Sequence, residues 1–199
     1  MRVLHHPMGS YETNCYIVKL PEGEIIIDPG MGATTWVLEQ TSNPLAILNT
    51  HGHFDHIWSN GELQSKLRVP LFVPKDDLFM LEWNQFGIQP PPSRADVAVE
   101  PDTTYEIGSI KVTFWHFPGH TPGCSAIEIG DHLFTGDFLF KDSIGRVDFP
   151  YSDPKAMALS LKKFQGMFDD AMVLAPGHGG LSSVGRERRN IPHWLAWLR

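Results

Sequence analysis

Short apolar runs, broken by turn residues, set the rhythm of the first half of the chain. CYIVKL (15–20) and EIIIDP (24–29) read as two strands joined by a PEG turn. ATTWVLEQ (33–40), after Gly30 and Gly32, has weak helical spacing, and LAILN (45–49) is a short buried strand. IWSNGELQSKL (57–67) then predicts a helix, VPLFVP (69–74) a strand, and DDLFMLEWNQF (76–86) another helix. Residues 87–103 carry PPP and no apolar period, which predicts a long loop of the kind that covers a site.

The second half repeats the alternation. SIKVTFWHF (109–117) reads as a strand, and SAIEI and HLFTG form a hairpin across Gly130 and Asp131. Asp153 followed by Pro154 is a helix N-cap with proline at the first helical position. Met157, Leu161, Phe164 and Phe168 recur behind it at i, i+4, i+7 and i+11, an amphipathic face. AMVLAP (171–176) predicts a strand, and a terminal helix over 184–199 carries Ile191, Trp194, Leu195 and Leu198. Strands with interspersed helices and central hairpins predict an α/β fold of layered mixed sheets.

Composition narrows the class. The chain has 199 residues, 42% of them hydrophobic and 20% charged, so it has enough apolar material for one folded domain. Its formal charge is −7, with no basic run beyond RERR (186–189), which excludes a general nucleic-acid surface. Two cysteines, Cys15 and Cys124, are too few for a disulfide scaffold and point to a reducing compartment. The opening MRVLHHPMGSYETN lacks a signal peptide's apolar centre, and no run approaches the ~20 apolar residues of a membrane span. A soluble, cytoplasmic protein with no membrane partner is expected, as a monomer or small homo-oligomer.

The candidate chemistry sits just behind the strands. THGHFDH (50–56) places His51, His53, Asp55 and His56 in one short loop after LAILN. PGHTPG around His120, TGD ending at Asp137, and PGHGG around His178 each follow another apolar run. Four such segments converging on one rim would gather imidazole nitrogens and carboxylates, donors that suit Zn2+, Fe or Mn. His51 and His53, two residues apart, can aim at one ion, while Asp55 and His56 turn toward a second. Asp137 is the natural bridge between two divalent ions. The glycines within these motifs let the backbone approach closely. The plain alternative is a His-rich solvated loop, which gives no reason for four motifs of one kind. His5, His6, His116, His132 and His193 stand alone and are read as ordinary structural residues. Cys124 is read as a small buried hydrophobe.

THGHFDH, PGHTPG, TGD and PGHGG, in that order, resemble the metallo-β-lactamase-fold hydrolase superfamily, from TNCYIV to GRERRN. GDFLFKDSIGRVDFP (136–150) is similar to the short, single-domain members of its glyoxalase II-like branch. The resemblance implies a four-layer αββα sandwich of two mixed β-sheets flanked by helices. It implies one domain over residues 1–199, without the extra C-terminal helical domain of full-length glyoxalase II. It also implies two divalent metal ions, Zn2+ first with Fe or Mn as alternatives. His51, His53 and His120 would hold one ion and Asp55, His56 and His178 the other, with Asp137 bridging. The implied activity is a thioesterase that cleaves S-lactoylglutathione or a related, glutathione-derived acyl thioester through a metal-bridging hydroxide. Asp55 and Asp137 are the implied catalytic carboxylates.

Alternatives stay open at this stage. A persulfide dioxygenase of the same branch would use one iron on His51, His120 and Asp137, and a lactonase would use the same hydroxide. β-Lactamases of the superfamily commonly carry cysteine where this chain has Asp137. Arg146 stands where glyoxalase II has a glutathione-binding lysine, so it is either a substrate anchor or half of an ion pair with Asp148. Arg186, Arg188 and Arg189 are either substitute anchors or a solvated helix face.

Overall fold

The computed structural model describes residues 1–198. Its first sheet orders six strands as β1 (Arg2–Met8), β2 (Thr13–Leu20), β3 (Gly23–Ile27), β4 (Pro44–Leu48), β5 (Leu71–Pro74) and β6 (Val97–Val99). The first three are antiparallel, and β3 through β6 run parallel. The second sheet contains β7 (Thr103–Ile107), β8 (Ile110–His116), β9 (Ser125–Ile129) and β10 (His132–Gly136). After the small ribbon of β11 (Leu139–Phe140) and β12 (Ser143–Ile144), it is completed by β13 (Val173–Pro176) and β14 (Ser182–Ser183), in the order β14-β13-β10-β9-β8-β7. Within it β10 and β13 are parallel.

Strand alternation builds the layers. Tyr16, Val18, Ile25, Ile27, Ala46 and Leu48 face Phe114, Ile127 and Phe134 in the core between the sheets. Their neighbours Cys15, Ile17, Ile26 and Ile47 face the opposite way, against α1 (Ala33–Gln40), the short α2 (Phe54–Ile57) and α3 (Asn60–Leu67). On the second sheet, Ala126, Leu133 and Leu174 face α4 (Pro154–Gln165) and α5 (Val184–Trp197). Both faces of each sheet are covered, which is why the central strands read as continuous apolar runs rather than alternating ones. This is the expected αββα sandwich. No described helix is long and apolar enough to cross a membrane.

Several expected elements change form. The helix expected over 57–67 begins only at Asn60, as α3, separated from α2 by Trp58 and Ser59, because Ser59 is tied to the loop after β3. Its N–H donates to Pro29 O at 3.0 Å and its hydroxyl to Gly30 O at 2.7 Å. The helix expected over 76–86 is a 3-10 segment, Lys75–Leu81, followed by a turn in which Gln85 and Ile88 exchange backbone hydrogen bonds at 2.8 Å. Phe86 there takes a φ of 54°. The expected loop 87–103 contains the edge strand β6, whose three residues show no readable period. Phe168 lies past the end of α4 with a φ of 61°, yet still packs on Trp115, Phe117 and Phe164. β1 is largely exposed, so its pattern carries no strand signal. Trp194 packs on the α5 side of the core, whereas Trp197 is exposed.

Candidate metal centre

The loops after β4, β8, β10 and β13 open at one edge of the sandwich. The edge is stitched between the sheets: Asn14 N donates to Gly177 O at 2.7 Å, and Ser125 N donates to Thr50 O at 2.9 Å. Ligands commonly sit at the C-terminal ends of parallel strands, and β4, β10 and β13 end here. All seven residues expected as ligands are brought together. His51, His53 and His120 form one set, and Asp55, His56 and His178 another, with the potential ligand atoms of each set within 4.8 Å of one another. Asp137 reaches both sets: its Oδ2 lies 3.5 Å from His120 Nε2 and 3.4 Å from His178 Nε2, and its Oδ1 3.3 Å from His56 Nε2.

Neighbours turn the rings inward. His120 Nδ1–H donates to Arg146 O at 2.8 Å, and His178 Nδ1–H to Tyr11 O at 3.0 Å. His56 Nδ1–H donates to Asp28 Oδ2 at 3.0 Å. The Thr50 hydroxyl donates to Asp28 Oδ2 at 2.6 Å, so it accepts from His51 Nδ1 at 3.1 Å. In these four rings Nδ1 is engaged outward and Nε2 is turned toward the centre, the orientation from which a neutral imidazole would ligate a metal. Asp28, His51 and His56 also lie close enough to suggest a third metal set. We read Asp28 instead as the partner that orients His56 and Thr50, because both its oxygens are engaged by hydrogen-bond donors.

The electrostatics divide the two sets. Burial pushes His51 well below its usual range, His53 down to about 3, and His120 down as well, so all three are neutral at pH 7. For His56 burial acts in the same direction, but Asp55, Asp137 and Asp28 overcome it and hold the ring well above its usual range. His178 is likewise pushed up to about 10 against burial, chiefly by Asp137. Burial would raise Asp55 and Asp137, but the neighbouring histidine charges hold Asp55 at about 2 and Asp137 well below the carboxylate range. Among the described residues, His51 Nε2, His53 Nε2, His56 Nε2 and Asp137 Oδ1 are buried without a hydrogen-bond partner. Orphaned buried polar atoms of this kind are costly. Nitrogen and carboxylate donors left facing one another fit divalent cations.

A cavity of about 560 Å3 opens onto this cluster, lined in part by His53, Asp55, His120, Asp137 and His178. Arg146 stands at its rim, exposed, with Nε and Nη2 donating to Asp148 at 2.9 and 2.7 Å and its guanidinium 4.2 Å from the Phe149 ring centre. The ion pair with Asp148 is therefore present, and the same arginine belongs to the cavity lining. Arg186 pairs with Asp142, and Arg188 with Asp170 and the carbonyls of Met167 and Phe168. Arg186 and Arg188 are outside the cavity lining. Cys124 is fully buried with its thiol pushed up by burial, as a small hydrophobe should be.

Sequence reasoning missed the residues behind the ligands. Asp28 is one, although its position directly after a strand is the same signal that marked Asp137. Asp77 is another: fully buried, it accepts from Gly52 N at 2.9 Å, Thr121 Oγ1 at 2.6 Å and Gly123 N at 2.6 Å, joining the His51–His56 loop to the His120 loop. Thr13 Oγ1 donates to Asp55 Oδ2 at 2.6 Å.

With fold and site in view, comparison with known proteins gives the class: residues 8–178 match the Metallo-beta-lactamase superfamily, and the chain belongs to it. The chain is 31% identical to the hydroxyacylglutathione hydrolase GloC of Haemophilus influenzae, over 94% of each chain. The crystal structure of the BLEG-1 B3 metallo-beta-lactamase superposes with a TM-score of 0.88 at 29% identity, covering 97% of this chain and 99% of that one. That of TTHA1623 in a di-iron-bound form superposes with a TM-score of 0.83 at 34% identity, covering 96% and 99%.

Proposed function

We propose that the chain is a dinuclear metal-dependent thioesterase of the glyoxalase II type. The observation that carries this reading is Asp137, whose carboxylate oxygens lie within 3.5 Å of imidazoles from both sets. His51, His53 and His120 would hold one divalent ion, Asp55, His56 and His178 the other, and Asp137 both. Bound there, the ions would supply a water acidified toward neutral pH and a Lewis acid for a carbonyl oxygen. Zn2+ suits the donors, and the di-iron neighbour makes iron the first alternative.

The chain's own residues supply the rest. Asp55 and Asp137 are ionised at neutral pH, so each accepts a hydrogen bond from an attacking water. Thr13 fixes Asp55 from behind, and Arg146 O, Tyr11 O and Asp28 fix the rings. A thioester carbonyl entering the cavity would lie beside Asp137, which lines it. Arg146 at the rim anchors a substrate carboxylate in exchange for Asp148. Neither cysteine lines the cavity, and the nucleophile in this reading is water. The name of the Haemophilus relative supports a small thioester as substrate. The second set does not separate a hydrolase from a one-iron dioxygenase, which would use His51, His120 and Asp137; the SIGRVDFP stretch, similar to the glyoxalase II-like branch, favours the hydrolase. The two cysteines, both free and buried, support a cytoplasmic setting. We read residues 1–199 as one domain.

Replacing Asp137→Ala tests the reading. Expected is loss of at least half the bound metal and a drop in thioester kcat of ~100-fold or more. Full activity with metal retained would remove Asp137 from the bridge. Arg146→Ala should raise KM for a carboxylate-bearing thioester while kcat changes little. An unchanged KM would leave Arg146 only its pairing with Asp148.

A further inference from the structure

The cavity is walled by rings that touch one another in series. Tyr11 packs edge-on against Phe54 at 5.0 Å between centroids, Phe54 lies 6.5 Å from Phe86, and Phe86 lies 5.0 Å from Phe149. Phe149 in turn lies 5.8 Å from the His53 ring and 6.0 Å from His120, so aromatic surface runs up to the three-histidine set. Outward, Phe86 meets Trp83 at 6.2 Å, Trp83 meets Tyr151 at 5.0 Å, and Tyr151 meets Phe79 at 4.9 Å. Tyr11, Phe79, Phe86 and Tyr151 are exposed. Exposed rings in contact with each other, continuous with a reactive centre, form a binding surface rather than scattered apolar residues.

The charge around the cavity is sparse. Among the described residues, Arg146 is the one cation in its lining apart from the candidate ligand histidines, and Asp148 already accepts from its Nε and Nη2. Glutathione carries two carboxylates and an ammonium group. A single shared guanidinium meets one of those carboxylates, and the other groups would lie against phenyl rings without partners, which is unfavourable. An apolar group would instead exchange water for ring surface.

We propose that this cavity selects acyl thioesters carrying an apolar, ring-sized group on one side of the scissile bond, packed against the Phe86–Phe149 pair, with Arg146 anchoring at most one carboxylate. This rests on the thioesterase reading above. The reaction is still hydrolysis: one water is consumed, the acyl carbon–sulfur bond breaks, and a carboxylate, a thiol and a proton leave.

The test uses the full, metal-loaded chain and two matched substrate series. One compares phenylacetyl with acetyl, both on N-acetylcysteamine; the other compares benzyl mercaptan with N-acetylcysteamine, both carrying acetyl. S-Lactoylglutathione is run beside them. The expected result is a kcat/KM about ten-fold higher for the ring-bearing member of one series, and that series identifies which end of the thioester enters the rings. In Phe86→Ala and Phe149→Ala the ratio should fall below about three-fold. Equal rates in both series, a ratio that survives both variants, or a ten-fold preference for S-lactoylglutathione would each overturn the proposal. Calorimetric binding of a non-hydrolysable phenylethyl thioether gives a second readout, with affinity expected to fall about five-fold or more in Phe86→Ala. If no thioester is cleaved but the thioether binds in a Phe86-dependent way, the thioesterase reading fails and the apolar selection stands. If thioesters are cleaved without apolar preference, the thioesterase reading stands and the apolar selection fails.

Discussion

Asp77 shows at the scale of one residue how the centre is held. Burial pushes its carboxyl up to about 6, against three hydrogen bonds from Thr121, Gly123 and Gly52 that pull it down. A carboxyl raised in the folded state binds its proton more tightly there than in the unfolded chain. Between roughly pH 4 and pH 6 the folded state is therefore the more protonated one, and stability falls as pH rises. The shift from 3.8 to about 6 corresponds to roughly 3 kcal/mol, a figure good to order of magnitude. Asp77→Asn removes that dependence, so the stability advantage of the wild type over the variant should shrink between pH 4.5 and pH 7. Urea titrations at the two pH values check it; a gap that widens with pH would reverse the sign and sink the assignment. The seven candidate ligands were legible in the sequence because each lies in a short motif behind a strand. Asp28 and Asp77 were not, because their partners are 22 to 46 positions away in sequence and meet only in the fold.

At the scale of elements, α4 anchors the His120 loop. Asp153 Oδ1 accepts from Lys155 N at 2.7 Å and Ala156 N at 3.1 Å, while Asp153 N donates to Gly119 O at 2.8 Å. Ser152 Oγ donates to His120 O and Ser160 Oγ to Pro118 O, both at 2.7 Å. Loss of the cap in Asp153→Ala should cost about 1 kcal/mol, a fall in Tm of a few degrees. The turn after β13 is tighter still. A side chain at Gly177 would meet Asp137 Oδ1 and the His56 ring, whereas one at Gly166, beyond α4, meets nothing. Gly177→Ala should therefore lose bound metal and Gly166→Ala should keep it, as metal analysis of the two proteins would show. This cap and its helix were readable from Asp153, Pro154 and the spacing of Met157, Leu161 and Phe164. The segment 76–86 misled because its apolar spacing is helical while buried Asp77 and Gln85 impose a different path. Gln85 donates to Gly52 O and Met80 O and accepts from Phe54 N, all at 2.9 Å, contacts that a continuous helix would not offer.

At the scale of the molecule, the centre joins the two sheets. The loop after β4 brings His51, His53, Asp55 and His56 from the first sheet, and the second sheet brings His120, Asp137 and His178. Ions held between them would bind the folded state in preference to the unfolded chain and so act as a staple across the sandwich. At free metal about 100 to 1,000 times Kd the stabilisation is roughly 3–4 kcal/mol, and stripping with a chelator should lower Tm by about 10 °C. Layered mixed sheets were legible from strands with interspersed helices, and the four-layer order came with the family resemblance; the aromatic wall was not legible, because Tyr11, Phe54, Phe86 and Phe149 lie in separate stretches. A two-metal hydrolytic site is tested most directly by the metal content of the purified chain, measured on the same sample as thioester hydrolysis and oxygen uptake with glutathione persulfide. About two metals per chain, with thioester cleavage and no oxygen uptake, is the predicted result. A single iron with oxygen consumption would contradict it and make the chain a persulfide dioxygenase.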